Sequence, residues 1–402
     1  MEKHALDFIE VKSASVQDRY KKGKKVSFAH FVEDYISGKV DIKGDFKEFM
    51  HVRTTHFDFT LTADHVKFFI TRMIPEVAIH SKKQDERIVR EHYDRGNDFF
   101  ASFLGPRMVY TGGFYHDFKT ETLEQAQDRK MTMVCEKLMM KPGDKHLDIG
   151  CGWGTLVAFA AKNYGTDSTG ITLAQAGTDY GNEQIAKHGV SDKARILRMD
   201  YRDMITPGVN NLKFDKITCL EMGEHVGIRK FQRFINNIYD KLNDDGMFYI
   251  QQAGLRANPG ILKKGRHWED LVWGLFMNKY IFSGADASTP LAFLVKSLQD
   301  ANFEVVSVEN IGIHYSHTLH AWYDNWESNK EYILSTYGEW WYRLWRVFLY
   351  WSVVIVANGS STCWSIAAHK NLNSDVVDRN RYIGRNNMGQ RMELSNLKAF
   401  EV

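Results

Sequence analysis

The sequence predicts an α/β fold built on a doubly wound sheet. The first observation is the run KHLDIGCGWG at residues 145–154, where a short apolar strand leads into a glycine-rich turn and then directly into a helical apolar pattern. The second is the alternation of strand-like runs with helical patterns from residue 168 to residue 251. The third is that acidic and polar residues follow these runs, where a doubly wound sheet places its ligand groups. We therefore expect a nucleotide-binding type of sheet.

The other elements follow from hydrophobic periodicity, which is two residues in strands and about 3.6 in helices. We expect strands at residues 168–173, 194–199, 214–220, 246–251, 303–308 and 362–368. We expect helices at residues 28–36, 61–80, 91–100, 122–140 and 340–351.

The glycine-rich turn is the strongest local signal for a ligand site. Glycines let backbone N–H groups approach a bound molecule, and the N-terminus of the next helix carries a partial positive charge. The spacing Asp-x-Gly-x-Gly-x-Gly that begins at Asp148 lacks the final glycine spacing of the dinucleotide fingerprint. The alternative is a tight turn that binds no ligand, and the other motifs of the chain are needed to distinguish the two interpretations.

Composition narrows the class of protein. The 402 residues carry 52 basic and 50 acidic side chains, so no overall field favours nucleic acid as a partner. The four cysteines are widely spaced, which is typical of reduced thiols. No apolar leader begins the chain, and no uncharged run reaches the roughly 20 residues that span a bilayer. We expect a soluble or peripheral protein without a transmembrane segment.

Three regions are expected along the chain. Residues 1–86 are expected to form a helical N-terminal region that is a candidate for membrane association. Residues 1 to about 45 suit either a solvated arm or, through the basic cluster at 21–25, a patch for anionic lipid headgroups. The apolar stripe at 61–80 suits either a core helix or a membrane surface. Residues 87–372 are expected to form the main α/β domain, with an aromatic cap insertion at about 253–288, and residues 373–402 a loose tail.

Six motifs in order resemble the cyclopropane-fatty-acid synthase family, which includes the mycolic acid methyltransferases. They are HYD at 92–94, YT at 110–111, DIGCGWG at 148–154, GITL at 170–173, DYRD at 200–203 and EMGEHVG at 221–227. The resemblance extends from about residue 60 to about residue 372. Within the family, the runs at 107–111, 271–282, 284–290 and 369–374 most resemble the fungal sphingolipid carbon-9 methyltransferases.

The resemblance implies a Rossmann-like class I methyltransferase fold that uses S-adenosylmethionine (AdoMet). It assigns AdoMet contacts to nine residues: Tyr110, Thr111, Asp148, Gly150, Gly152, Thr172, Leu173, Asp200 and Tyr201. Tyr93 and Tyr110 would each contribute about 0.5–2 kcal/mol to binding the sulfonium cation through cation–π contact. A glutamine that follows the second strand in the family corresponds here to Gly177, with Gln175 two residues earlier.

The resemblance also implies the chemistry and its residues, which are Glu224, Tyr315, Tyr93 and Gln251. An alkene attacks the methyl carbon, and Glu224 supplies the negative charge that stabilises the resulting carbocation. The alternative role for Glu224 is a buried helix cap. The synthases hold bicarbonate with a cysteine and a histidine, but those positions are Gly112 and Gln251 here, which argues against bicarbonate and against ring closure.

We therefore predict a C-methyltransferase that acts on an alkene carbon of a lipid chain, and the resemblance points to carbon 9 of a ceramide or glucosylceramide sphingoid base. The alternatives are a cyclopropane synthase acting on phospholipid acyl chains, a small-molecule amine N-methyltransferase and an AdoMet- or lipid-binding protein without turnover. A lipid substrate and a cytosol-facing membrane surface are the expected partners, and a homodimer is one possible state. No metal is expected, because the histidines at 314, 317 and 320 lack acidic or cysteine co-ligands.

Overall fold

The computed structural model describes residues 3–73, 82–93, 95–255, 268–285, 289–372, 385 and 389. Its α-helices, in chain order, are α1 Phe28–Ile36, α2 Phe46–Val52, α3 Ala63–Phe68, α4 Lys82–Tyr93, α5 Asn97–Leu104, α6 Leu123–Lys137, α7 Thr155–Tyr164, α8 Gln175–Lys187, α9 Tyr201–Ile205, α10 Ile228–Lys241, α11 Trp268–Tyr280, α12 Leu291–Asp300, α13 Gly312–Ser328, α14 Lys330–Thr336 and α15 Glu339–Ala357.

Its strands are β1 Ile9–Val11, β2 Val26–Ser27, β3 Val40–Ile42, β4 Phe57–Asp58, β5 Lys145–Ile149, β6 Asp167–Thr172, β7 Ala194–Arg198, β8 Phe214–Leu220, β9 Leu242–Leu255, β10 Glu304–Asn310 and β11 Ser361–His369. The chain forms two compact units, each assembled from three segments. The first unit is Met1–Gly112, Ala253–Leu291 and Ile311–Cys363, and the second is Gly113–Gln252, Ala292–Asn310 and Trp364–Val402.

The second unit contains a seven-stranded sheet in the order β10-β11-β9-β8-β5-β6-β7. Strand β5 pairs in parallel with β6 on one side and with β8 on the other, and the pairs β6–β7 and β8–β9 are also parallel. Strands β10 and β11 are antiparallel. The order reverses at β5, where a doubly wound sheet opens its ligand crevice. The predicted fold class is confirmed.

Apolar burial and one glycine explain why β5 and α7 form a strand–turn–helix. The last four residues of β5 are buried, and α7 turns its leucine, valine and alanine side chains into the core. Gly154 begins α7 with a left-handed φ of +75°, and a Cβ at this position would lie 1.9 Å from Ile196 Cδ1. Only glycine meets both constraints, so Gly154 fixes where the strand gives way to the helix.

The N-terminal part of the first unit differs from a solvated arm. Ala5, Phe8, Val16 and Tyr20 are buried, and the Tyr20 hydroxyl donates to the buried Asp34 carboxylate at 2.9 Å. The solvated-arm interpretation is wrong for these residues, because apolar side chains spaced irregularly through a polar sequence still meet in a common core. The predicted helix at 28–36 is confirmed, and Phe28 and Phe31 are completely buried.

The apolar stripe at 61–80 is only partly helical in the described residues. Helix α3 ends at Phe68, a π-helical turn follows at Phe69–Met73, and residues 74–81 lie outside the described ranges. Neither segment contains a buried residue, and Val66 and Ile70 are 50% and 60% exposed. The core interpretation of this stripe is therefore wrong for the part of the chain that is described.

The predicted aromatic helix is confirmed as α15, which extends beyond residue 351 to Ala357. Its two arginines are partnered: Arg346 donates to Glu327 at 2.9 Å, and Arg343 donates to the backbone carbonyls of Tyr35 and Val40. Within the described residues, no helix is both long and apolar enough to cross a membrane.

Candidate active site

The carboxyl ends of five parallel strands in the second unit bring most of the predicted AdoMet residues to one edge of the sheet. Asp148 stands in β5, Thr172 ends β6, Asp200 follows β7, Glu221 follows β8 and Gln251 lies in β9. Parallel pairing places these ends side by side, because each strand leaves the sheet in the same direction. The edge therefore gathers groups that are up to about a hundred residues apart in sequence.

Asp148 is buried beneath the glycine-rich turn. Its Oδ1 accepts a hydrogen bond from the Thr218 hydroxyl of β8 at 2.7 Å. Burial raises the pKa of this carboxyl to about 6, while the Thr218 hydrogen bond and the positive charge of Lys130 oppose that shift. Lys130 is 1% exposed on α6, in line with Ala126 and Val134 on its buried face. A lysine on an apolar helix stripe was a sequence signal that our prediction did not use.

The turn itself fits a close-lying ligand. Gly150 has a φ of +77°, and its N–H donates to the Ile171 carbonyl at 2.9 Å, which ties the turn to the end of β6. A Cβ on Gly150 would come within 2.6 Å of the Met222 side chain, whereas a Cβ on Gly152 would meet no atom within 4 Å. The surface above Gly152 is thus open, as a backbone cradle for the methionine part of AdoMet requires.

The segment after β6 explains the missing family glutamine. Gly177 on α8 approaches the Gly152 carbonyl so closely that a Cβ would lie 2.7 Å from the oxygen. Gln175 is exposed, and its amide is engaged by Asp179 and Arg198. Neither position presents a glutamine to the turn, so this family contact is not reproduced by the described side chains. Thr172 and Leu173, the predicted ribose contacts, are half-buried beside the turn.

The two side chains predicted to contact adenine, Asp200 and Tyr201, are held by neighbouring groups. Asp200 caps α9, and its carboxylate accepts from both the Arg202 backbone N–H at 2.8 Å and the Arg202 guanidinium at 2.7 Å. Tyr201 packs edge-on against Phe234 with 5.3 Å between ring centroids. Arg202 was not predicted from the sequence. Its guanidinium fixes the orientation of the Asp200 carboxylate, which suits an acceptor for a polar group of the ligand.

Glu221 is a third residue that sequence reasoning missed. It follows β8 with a left-handed φ of +55°, a conformation that costs energy for a residue with a Cβ. Its Oε1 accepts from Gln251 Nε2 at 2.6 Å, and its N–H donates to the Gln251 carbonyl at 2.7 Å. The predicted catalytic residue Gln251 is therefore committed to Glu221. Strained backbone of this kind is found mainly at functional sites.

Glu224 lies three residues further on, in the 3₁₀ turn Gly223–His225. The residue is only 6% exposed, and its charge contributes to raising the pKa of the Cys219 thiol, after burial of that thiol itself. Gly223 allows the turn to pack on Gln252, because a Cβ there would lie 2.5 Å from its Oε1. The chain thus places a buried carboxylate shortly after the carboxyl end of β8.

Four predicted site residues belong to the first unit. Tyr110 lies within an aromatic cluster, with its ring centroid 6.0 Å from His92 in a parallel stack and 5.5 Å from Phe103 and from Trp322. Thr111 is half-buried next to it. Tyr93 ends α4, but its side chain lies outside the described residues, so its role stays a prediction.

The fourth, Tyr315, explains why residue 112 is a glycine. A Cβ at Gly112 would lie 2.5 Å from Tyr315 Cδ2, so the tyrosine ring fills the space that a larger side chain would need. A cysteine does not fit here unless the ring moves, and Gln251 is engaged by Glu221.

Gly112→Ala should displace the Tyr315 ring and reduce turnover, with little loss of overall stability. The matched control is Gly274→Ala on α11, where a Cβ meets no atom within 4 Å and helix propensity improves by about 1 kcal/mol. Turnover and thermal unfolding should be measured for both variants. Equal turnover in the two proteins would contradict the claimed steric conflict.

Among the residues that the structure describes, no group of three or more histidine, cysteine, aspartate or glutamate side chains is placed to hold a metal ion. His320 instead lies 3.2 Å from the Asp324 carboxylate, one turn away on α13.

Comparison with known proteins places these features in a family. The family described as mycolic acid cyclopropane synthetase matches residues 80–366. The chain is 51% identical over 370 residues to a sphingolipid C9-methyltransferase of Komagataella phaffii, covering 91% of this chain and 74% of that protein. It is 47% identical to sphingolipid C9-methyltransferase 2 of Gibberella zeae, covering 91% and 69% of the two chains.

Among solved structures, a mycolic acid cyclopropane synthase complexed with SAH and CTAB is similar in fold. It superposes with a TM-score of 0.67 at 22% sequence identity, covering 73% of this chain and all of that one. At this identity the likeness concerns the fold.

Proposed function

Because the chain belongs to the mycolic acid cyclopropane synthetase family and is an AdoMet-dependent methyltransferase, we propose that it methylates an alkene carbon in the sphingoid base of a ceramide-type lipid. The proposed position is carbon 9, for which its relatives are named. The observation that carries the proposal is their similarity, at 51% and 47% identity over 91% of this chain.

The residues of the second unit fit AdoMet, which supplies an electrophilic methyl group. Asp148 would hold its ammonium group, and the open backbone at Gly152 would lie along the methionine chain. Thr172 and Leu173 would contact the ribose, and Asp200 and Tyr201 the adenine. The glycine cradle supports this assignment, because the turn leaves room where a Cβ would otherwise project.

The buried carboxylate of Glu224 is the proposed catalytic group. When the alkene carbon forms its bond to the methyl carbon, the neighbouring carbon becomes a cation. Glu224 would stabilise this cation at short range in a poorly solvated site, where a fixed negative charge acts strongly. Its carboxylate is also the proposed acceptor of the proton whose loss restores a double bond.

The proposed product is a methyl branch and not a cyclopropane ring. Ring closure needs a proton to leave the transferred methyl group, and the synthases use bicarbonate as the base. The packing of Tyr315 against Gly112, together with the bond from Gln251 to Glu221, argues against that anion. The proposed roles of Tyr93, Tyr110, Thr111 and Tyr315 remain predictions from the resemblance.

The test is product identification. The protein should be incubated with methyl-labelled AdoMet and an unsaturated ceramide, a phospholipid with a monounsaturated acyl chain, or a small-molecule amine. We expect label in the ceramide, with its double bond count unchanged by mass spectrometry. A cyclopropane ring in the phospholipid, or label in the amine alone, would overturn the proposal.

We also propose that the segment 61–73 binds an anionic lipid surface. Leu61, Val66, Phe69 and Ile70 are between 41% and 60% exposed, and Lys67 and Arg72 stand among them. Apolar side chains interspersed with cations suit a membrane interface, because insertion and attraction to anionic headgroups act together. The proposed substrate has a long hydrocarbon chain and would itself lie in such a membrane.

Replacing Phe69 and Ile70 together by serine should weaken binding to vesicles of phosphatidylcholine and phosphatidylserine by about tenfold, given about 25 cal/mol for each Å² of apolar surface buried. The matched control is the pair Val209→Ser and Leu212→Ser in the second unit, where the two side chains are 55% and 53% exposed. Co-sedimentation measures both. Equal losses in the two double variants, or none in either, would contradict a membrane role for 61–73.

A further inference from the structure

A chain of hydrogen-bonded side chains crosses the interior of the sheet and ends on Asp148. His146 Nε2 lies 2.8 Å from the Thr218 hydroxyl, and its Nδ1 lies 3.1 Å from the Ser168 hydroxyl, which in turn lies 2.7 Å from the Thr166 hydroxyl. Thr218 donates to Asp148 at 2.7 Å. We call these five residues the polar chain. All five are less than 5% exposed.

Strand register explains why the polar chain is continuous. His146 pairs with Ser168 across β5 and β6, and Asp148 pairs with Thr218 across β5 and β8. Side chains two residues apart point to the same face of a strand, so His146 and Asp148 share a face. The helix α6 covers this face and brings Lys130 close enough to affect Asp148. The polar chain is thus a built feature of the core, and its groups satisfy one another.

The number of protons available in the polar chain fixes the direction of its hydrogen bonds. A hydroxyl has one proton, and that of Thr218 goes to the Asp148 carboxylate. Thr218 must then accept from His146, so the proton of the neutral imidazole lies on Nε2. Nδ1 is left as an acceptor and takes the proton of Ser168, which accepts from Thr166. When Asp148 is a carboxylate, every bond in the polar chain points towards it.

A protonated Asp148 would reverse every bond. Its own proton would go to Thr218, Thr218 would donate to Nε2, and the imidazole proton would move to Nδ1 and be donated to Ser168. We propose that the tautomer of His146 follows the charge of Asp148, and that the forward direction of the polar chain holds Asp148 as the carboxylate that the AdoMet ammonium group needs. His146 and Thr218 are therefore positioning residues, and this inference rests on the proposed AdoMet role of Asp148.

The titration behaviour of the surrounding groups agrees with this arrangement. Burial lowers the pKa of His146 to about 3, so the imidazole stays neutral and can change only its tautomer above that pH. Asp148, with a pKa raised to about 6, changes charge in a range where the protein can be studied. Among the described residues, the ionisable groups coupled to Asp148 are Lys130, Cys135, Cys151 and Cys219, and burial raises the pKa of all three thiols.

The first measurement is the ¹⁵N spectrum of imidazole-labelled protein between pH 5 and 8, with His146 assigned by comparison with His146→Gln. In the free protein we expect Nε2–H above pH 6 to give way to Nδ1–H below it. Saturation with S-adenosylhomocysteine should keep Nε2–H throughout. A single tautomer in the free protein across this range, or an imidazolium at pH 7, would overturn the inference.

The second measurement is affinity for S-adenosylhomocysteine against pH. Thr218→Val cuts the polar chain, and we expect an affinity lower by about tenfold at pH 7, because Asp148 without this hydrogen bond is harder to ionise and binding has to meet that cost. The loss should shrink as the pH rises, because the pKa of Asp148 moves up when the bond to its charged form is gone. Thr218→Ser keeps the hydroxyl and should restore both properties.

Ser168→Ala tests the remote end of the polar chain, and Ser365→Ala is its matched control. Ser365 is also a completely buried sheet hydroxyl, bonded to Tyr249 at 2.8 Å, but it does not lead to Asp148. We expect only Ser168→Ala to shift the pH midpoint of binding. Equal pH midpoints in the two serine variants, or the same binding by Thr218→Val and Thr218→Ser, would refute the proposed role of the polar chain. Failure of the unmodified protein to bind S-adenosylhomocysteine would instead refute the proposed AdoMet site.

Discussion

Glu224→Gln is expected to lower turnover by roughly 10²–10³-fold while AdoMet affinity stays close to that of the unmodified protein. Glutamine keeps the size and much of the hydrogen bonding of the side chain, but it has no charge to stabilise a carbocation and accepts no proton. Because Glu224 sits in the turn after β8 and Asp148 in β5, the two roles separate experimentally. Single-turnover methylation of the ceramide and calorimetric binding of S-adenosylhomocysteine measure them.

Two controls make this result interpretable. Glu183→Gln changes an exposed glutamate on α8 and should leave both quantities unchanged. Glu221→Gln removes the charge next to Gln251 and should have a smaller effect than Glu224→Gln if the proposed assignment is correct. Normal turnover in Glu224→Gln would remove this residue from the mechanism, and loss of S-adenosylhomocysteine binding would mean that its role is structural.

Arg53→Met should lower the free energy of unfolding by about 3–5 kcal/mol, because Glu269 would remain buried without its cation. In the first unit, Arg53 forms a two-pronged ion pair with Glu269, with Nε–Oε1 and Nη2–Oε2 distances of 2.7 Å. Both residues are no more than 7% exposed, and Trp351 Nε1 donates to the same carboxylate at 2.9 Å. Denaturant unfolding followed by tryptophan fluorescence measures the loss.

The double variant Arg53→Met with Glu269→Leu should recover most of that stability, since an apolar pair of similar volume has no charge to desolvate. Lys187→Met breaks an exposed ion pair with Glu183 and should leave the unfolding curve where it was. If the double variant is no more stable than Arg53→Met, the loss comes from packing and not from the uncompensated charge.

The sequence predicted the sheet well because local patterns determine it. The strand before Gly150, the run at 214–220 and the closing strand near residue 365 all alternate or run apolar in ways that short-range periodicity detects. Helix α1 was predicted to the residue for the same reason. The motifs also predicted that Asp148 and Asp200 lie at the carboxyl ends of their strands, the edge at which doubly wound sheets bind ligands.

Contacts between distant residues could not be predicted in this way. Nothing local to Gly112 indicates that Tyr315, about two hundred positions later, occupies the space above it. The polar chain depends on the register of three strands, and one residue of slippage would point His146 to the other face. Whether Phe8 is buried and Phe69 exposed also depends on tertiary contacts. Both residues lie among polar and apolar neighbours, and hydrophobic periodicity does not tell a buried position from an exposed one there.

The interleaving of the two units has a consequence for biosynthesis. Strand β9 is flanked by β8 and by β11, yet β11 is translated more than a hundred residues after it. A nascent chain that ends before Ser361 therefore presents β9 as an unpaired apolar edge, the kind of surface that recruits other strands. We expect fragments that end shortly before Ser361 to aggregate or to occupy chaperones, and a separately supplied segment containing β11 to rescue their solubility.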